Sequence, residues 1–201
     1  MNPLKRLFDL AMALMLTMLL LPVIIIISAI ILIGDGRPVF YVSERMKTLR
    51  QGFSVVKFRT MRPDSNDFGA TGAHKNGRIT PSGAVLRKYR LDEIPQLWNI
   101  LKGDMSFVGP RPPLRRYVEK YPKLYGQVLH SRPGLTGLAS VYYHEHEEWL
   151  LRTATNSDET EAIYCRACIP QKARLDLIYQ QHWNLCFDIL LLLQTVFKRL
   201  R

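Results

Sequence analysis

Leu7 to Ile33 is an almost unbroken apolar run, interrupted only by Asp9, Thr17, Pro22 and Ser28. A bilayer's hydrocarbon core, ~30 Å thick, needs roughly 20 such residues in a helix, so the run is long enough to cross it. A cleaved signal peptide is excluded, because its apolar region would be roughly 7–15 residues long and end in a small-x-small site. The rest of the chain must therefore be built around a membrane helix.

Two features bear on the path of that helix. Lys5 and Arg6 precede it while Arg37, Arg45, Lys47 and Arg50 follow, and the positive-inside tendency draws both flanks to the cytoplasmic face. Pro22 lies near the middle, where its missing donor and its clash with the carbonyl four residues back bend a helix. Together these favour a re-entrant helix-break-helix dipping into one leaflet. A straight span that tolerates the proline is the other reading, and these residues leave both open. Residues 1–36 then form the membrane segment and residues 37–201 a cytoplasmic, membrane-associated domain.

The 201 residues suffice for one domain with accessories, and the net charge of +11 calls for an anionic partner. Nucleic acid, acidic lipid and phosphorylated substrate all satisfy that charge. Cys165, Cys168 and Cys186 cannot all pair with one another, and a cytoplasmic domain keeps them reduced.

The pattern predicts a helix-rich α+β fold with a small β-hairpin and several amphipathic interfacial helices. Gly34 to Pro38 is a turn, and Val39–Val42 and Gly52–Met61 are strands paired across the charged link Glu44 to Gln51. Lys57 and Arg59 alternate with Val56 and Phe58, which puts both cations on one strand face, either solvated or binding. Arg62 to Gly77 reads as a loop with an Asn76-Gly77 turn. Thr80-Pro81 caps a helix running through Val85, Leu86 and Tyr89 and carrying Arg87, Lys88 and Arg90.

The most informative stretch follows, RLDEIPQLWNILKGDMSFVGPRPP, from Arg90 to Pro113. Ile94, Leu97, Trp98 and Leu101 have helical spacing, Pro95 belongs in the first turn, and Asp92 and Glu93 lie at the helix start, where the dipole favours carboxylates. Lys102-Gly103 ends the helix, and a stiff Gly/Pro loop presents Arg111. Short helices over Pro113–Lys120 and Pro122–His130 and a turn at Arg132–Gly137 come next. His144 and His146 lack the HExxH pattern and Cys165-x-x-Cys168 lacks a second pair, so no metal is expected at either. Leu185 to Val196 is too short to span and ends in KRLR, which suits an interfacial helix, with a core helix as the alternative.

These residues resemble the bacterial sugar transferases, the monotopic phosphoglycosyl transferases of the small catalytic-core type. The match spans KRLFDL with the apolar run and Pro22, KFRTM at Lys57–Met61, LDEIPQLWNILKGDMSFVGPRP at Leu91–Pro112, RPGLTG at Arg132–Gly137 and LDLIY at Leu175–Tyr179. The resemblance implies transfer of a sugar 1-phosphate from a UDP-sugar to polyprenyl (undecaprenyl) phosphate, giving UMP and a polyprenyl-diphosphate sugar. It also implies magnesium, the re-entrant helix, the cytoplasmic face of the bacterial inner membrane, no nucleic acid, and downstream glycosyltransferases as partners. Asp92 becomes the nucleophile of a ping-pong reaction and Glu93 its partner in metal binding or proton handling, the two acids being the metal ligands. Lys57, Arg59, Arg87 and Arg111 become phosphate contacts, and Arg132 either another or a structural part of the RPGLTG turn. The chain departs from the family after RPGLTG, where His144 falls at the place of a family arginine and becomes the candidate phosphate donor there, and Glu145 to Pro170 forms a longer link that suits part of a sugar pocket or a lid. A non-catalytic, membrane-anchored basic module for nucleic acid or anionic lipid would explain the charge but not the Asp92-Glu93 pair.

Overall fold

The computed structural model describes residues 2–62 and 77–199. The predicted loop from Arg62 and its Asn76-Gly77 turn fall largely outside them. Helix α1 covers Pro3–Gly34 and is opened by Asn2, whose side chain accepts from the Leu4 N–H. It runs through Pro22 as one helix, without the break that the proline predicts. Thr17 and Ser28 donate to the carbonyls of Ala13 and Ile24, satisfying their hydroxyls within the helix.

One stripe of α1 is buried and the opposite side is not. Lys5, Asp9, Ala13, Ile27 and Ile31 are buried, whereas Leu14, Met18, Leu19, Ile25, Ile26 and Ile33 are among its exposed apolar residues. At its start, Lys5 pairs with Asp188 and donates to the Tyr179 hydroxyl, Arg6 donates to the Ile100 and Leu101 carbonyls, and Asp9 accepts from the Phe107 N–H. At its far end, Ile27 and Ile31 pack with Phe58 and Leu86. Both ends are thus fastened to the same folded unit.

Strands β1 (Phe40–Met46) and β2 (Gly52–Phe58) form the expected antiparallel hairpin, with Phe40 opposite Phe58 and Met46 opposite Gly52. β1 takes in Glu44 and Arg45, so the link is shorter than the charge pattern suggests. Phe53, Val55 and Lys57 share a face, and the first two are core residues, so Lys57 points inward rather than into solvent. Helix α2 (Pro81–Lys88) is capped by Thr80, whose side chain accepts from the Gly83 N–H at 3.0 Å. Leu91–Gln96 is a 3-10 turn leading into α3 (Leu97–Lys102), which ends at Gly103 with φ 89°. Asn99 on α3 stitches the hairpin down, accepting from the Val56 N–H at 3.1 Å and donating to the Ser54 carbonyl at 2.7 Å.

The two glycine-rich motifs, read in sequence as a loop and a turn, pair as short parallel strands β3 (Ser106–Val108) and β4 (Gly134–Thr136). The approach is backbone on backbone, since a Cβ at Gly109 would lie 2.3 Å from the Arg132 carbonyl oxygen and one at Gly134 2.1 Å from the Gly109 nitrogen. The remaining helices are α4 (Arg115–Lys120), α5 (Pro122–Val128), α6 (Leu138–Tyr142), α7 (His144–Arg152), α8 (Ser157–Ile163), α9 (Ile169–Gln181) and α10 (Leu185–Arg199). A π turn at Tyr164–Cys168 joins α8 to α9. α10 carries Leu191 into the core, as the core-helix alternative expects, while Leu190, Leu193, Val196 and Phe197 are exposed.

Asp176 on α9 is buried, which pushes its carboxyl up to about 7 against the opposing pull of Lys172. An unfolded aspartate ionises near ~3.9. Between the two values the folded chain holds a proton that the unfolded chain has released, so stability falls as pH rises through that window. Asp176→Asn is expected to raise the thermal midpoint at about pH 8 and to give no gain at about pH 4, measured by thermal denaturation in detergent.

Candidate active site

The 3-10 turn places two adjacent acids in different surroundings. Arg90, immediately before it, has left-handed backbone (φ 54°), a conformation that costs a non-glycine residue and is kept where the surroundings enforce it. Glu93 is buried, 5 % exposed, and its Oε1 accepts from Lys57 Nζ at 2.8 Å and Arg111 Nη2 at 3.0 Å, with Arg90 Nη1 at 3.9 Å. Burial works to raise its pKa, but Arg111, Lys57 and Arg90 prevail and hold it well below the usual carboxylate range. Asp92 is half-buried, and none of the hydrogen bonds or ion pairs among the described residues engages it. Its pKa is raised, first by burial and then by the Glu93 charge, with Lys57, Arg87 and Arg90 pulling the other way.

Each cation is delivered by a different element. β2 brings Lys57, whose pKa burial lowers while Glu93 opposes the shift. α2 brings Arg87 close enough for its charge to act on Asp92, and the loop after β3 brings Arg111, whose charged form Glu93 favours. Arg111 remains 38 % exposed at its side chain, so the Glu93 bond leaves donors on its outer edge. α7 leans in with His144, which contacts Arg90 and lies 3.4 Å from Glu148, and with Glu147, whose charge reaches Arg111. Glu147 itself is paired with Lys172 on α9 at 2.9 Å.

Of the residues singled out by sequence, Asp92, Glu93, Lys57, Arg87 and Arg111 gather here, and His144 joins them through Arg90. Arg59 and Arg132 do not. Arg59 follows the end of β2 and is buried, donating to the carbonyls of Asp35 and Arg37 at 2.7 Å and of Gly36 at 2.8 Å. The strand alternation that paired it with Lys57 ends one residue too early. Arg132 lies beside Gly103 and Arg6, in the field of Asp9 and Asp104. Arg90 was missed as a site residue, and its mark in the sequence is adjacency to the acid pair. Arg45, which donates to the Pro112 carbonyl at 3.4 Å and acts on Arg111, has no such mark.

Comparison with known proteins gives this arrangement a family. The bacterial sugar transferase model matches residues 1–201. This chain belongs to the bacterial sugar transferase family. It is 34 % identical to the exopolysaccharide production protein ExoY of Rhizobium meliloti, over 96 % of this chain and 83 % of the relative. It is 33 % identical to the uncharacterized sugar transferase EpsL of Bacillus subtilis, covering 97 % of this chain and 86 % of that protein. The UDP-glucose:undecaprenyl-phosphate glucose-1-phosphate transferase of Escherichia coli is 34 % identical over 97 % of this chain, which spans 40 % of its length. In this sugar transferase the acid pair is a buried, cation-locked glutamate beside an aspartate that no hydrogen bond or ion pair among the described residues engages.

Because Arg59 is spent on the loop after α1, Arg59→Ala is expected to cost about 2 kcal/mol of stability through its lost charged hydrogen bonds, read by denaturant titration in detergent.

Proposed function

We propose that the chain transfers a sugar 1-phosphate from a UDP-sugar to undecaprenyl phosphate at the cytoplasmic face of a bacterial inner membrane. The observation that carries the reading is the asymmetry of the acid pair. Glu93 is committed to Lys57 and Arg111, which leaves the Asp92 carboxylate, among more cations than it can neutralise, available to attack a phosphorus.

In the first step an Asp92 oxygen attacks the phosphorus bearing the sugar. The bond from that phosphorus to the bridging oxygen breaks, its electron pair leaves with UMP, and an aspartyl-phosphosugar forms. In the second, an oxygen of the lipid phosphate attacks the same phosphorus and the bond to Asp92 breaks, giving the lipid diphosphate sugar. Glu93 fixes the positions of Lys57 and Arg111, and these with Arg87 and Arg90 hold phosphate oxygens, the arginines as forks and the lysine as a point charge. His144 steadies Arg90 in place of a second phosphate-binding arginine.

Magnesium suits this donor set. Among the described residues no three His, Cys, Asp or Glu side chains form a protein-only cage. Asp92 and the Glu93 oxygen not used by Lys57 and Arg111 are the carboxylate donors that would hold such an ion. Bound there, it would supply Lewis-acid stabilisation of phosphate charge.

α1 supports the membrane reading. A helix of its length measures ~48 Å, enough to cross a bilayer. Contacts from Lys5 to Ile31 nevertheless bind it to one domain, which favours both ends on one face and re-entrant insertion, with residues 37–201 as the catalytic domain. A non-catalytic basic module would leave unexplained why Lys57 and Arg111 are gathered on the buried Glu93 carboxylate beside Asp92.

Asp92→Asn is expected to lower UMP release from a UDP-sugar by roughly ten-thousandfold or more while the variant folds normally; wild-type-like turnover would remove Asp92 as nucleophile. A cysteine in place of Asn2 is expected to resist a membrane-impermeant thiol reagent applied from the periplasmic side, and labelling from that side would establish a straight span.

A further inference from the structure

Arg45 on β1 is a half-buried cation without a countercharge. Its guanidinium donates to the Pro112 carbonyl at 3.4 Å, and among the described residues no carboxylate pairs with it. Burial lowers its pKa first and the neighbouring Arg111 second, while Tyr164, Tyr41 and Tyr117 work the other way. Taking a guanidinium out of water and setting it beside another costs free energy that one long bond to a carbonyl does not return. Such a residue is kept where an anion comes to it.

The hairpin turns Arg45 toward the acid site. Arg45 stands opposite Phe53, Ser43 opposite Val55, and Tyr41 opposite Lys57. Facing residues share a side of the sheet, as do residues two apart on a strand, so Arg45, Ser43 and Lys57 lie on the side that carries Phe53 and Val55 into the core. Ser43, between the two cations, has a buried hydroxyl without a hydrogen-bond partner among the described residues. Arg111 acts on both Lys57 and Arg45, so the three form one positive group, and Glu93, in contact with Lys57 and Arg111, offsets a single charge of it.

That group has a direction. Lys57, Arg87 and Arg90 are the cations that act on Asp92, and they surround the place of the phosphorus it attacks. Arg45 is grouped instead with Arg111. In-line displacement puts the departing oxygen on the side of the phosphorus away from the nucleophile. We infer that Arg45, assisted by the Ser43 hydroxyl, binds the phosphate that departs as UMP and neutralises the charge it gains. The inference rests on the reaction proposed above and adds the residue that receives its leaving group.

The test compares full-length wild type, Arg45→Met and Arg45→Lys in nanodiscs. Dissociation constants for UMP and for uridine are measured by calorimetry without added divalent ion. Arg45→Met is expected to weaken UMP about tenfold, the loss of one charge-assisted hydrogen bond, and to leave uridine unchanged, while Arg45→Lys recovers part of the loss. Equal affinity of wild type and Arg45→Met for UMP would overturn the inference. Without ligand, Arg45→Met is expected to melt no lower than wild type, because an unpaired charge has left a half-buried position. A lower midpoint with UMP and uridine weakened alike would make Arg45 a structural clamp and overturn the inference. In turnover, UMP release before lipid phosphate is added is expected to slow at least tenfold in Arg45→Met, whereas transfer from the preformed phosphosugar enzyme to undecaprenyl phosphate keeps its rate. Slowing confined to that second transfer would assign Arg45 to the lipid phosphate and overturn the inference. UMP binding that depends on Arg45, with no UMP release by wild type from any UDP-sugar, would uphold the phosphate site and overturn the proposed reaction instead.

Discussion

The attachment of α1 at both ends is the constraint from which the rest of the architecture follows. Near its start, Lys5 is removed from water, a cost met only because the Asp188 carboxylate and the Tyr179 hydroxyl receive it while Trp183 Nε1 donates to the same carboxylate at 3.0 Å. Beyond its end, the buried Arg59 guanidinium collects three successive carbonyls, a cation where the helix dipole is negative. Between these anchors the buried stripe contributes Ala13 to the core around Phe53, Val55 and Ile100, and Ile27 and Ile31 to the cluster around Phe58. The long apolar helix is therefore one wall of the domain.

Within that frame, neighbouring carboxylates acquire opposite character. Both are penalised by burial, but Glu93 meets Lys57 and Arg111 at contact distance and remains ionised, while Asp92 feels the negative Glu93 beside it and its pKa rises. Pairs of acids driven apart in this way divide their tasks, one organising charge and one reacting. The division depends on a turn too tight for an α-helix: the 3-10 geometry and the left-handed Arg90 aim consecutive side chains in different directions.

The link from Glu145 to Pro170 belongs to the same electrostatic unit. α7 carries His144 to Arg90 and Glu147 toward Arg111, and the π turn sets Tyr164, which lies in the field of Glu147, Arg45 and Arg111, into the adjoining wall. This region differs from the family pattern in sequence, yet it meets the cations that the family motifs supply.

By itself the sequence determined the long apolar helix, the hairpin, the Thr80 cap, the Gly103 stop and the gathering of charged residues around Asp92 and Glu93. Each is written in local terms, as an apolar run, a strand alternation, a cap residue or a contiguous motif. Only the tertiary structure decided that α1 passes through Pro22 unbroken and is held at both ends, that Lys57 faces the core while Arg59 clamps a loop, and that the two glycine motifs pair as strands. Arg132 was placed away from the acids and Arg45 near them by the same long-range packing. These outcomes depend on partners tens of residues distant and on burial, which sets whether a cation is a solvated surface group, a structural clamp or part of a site.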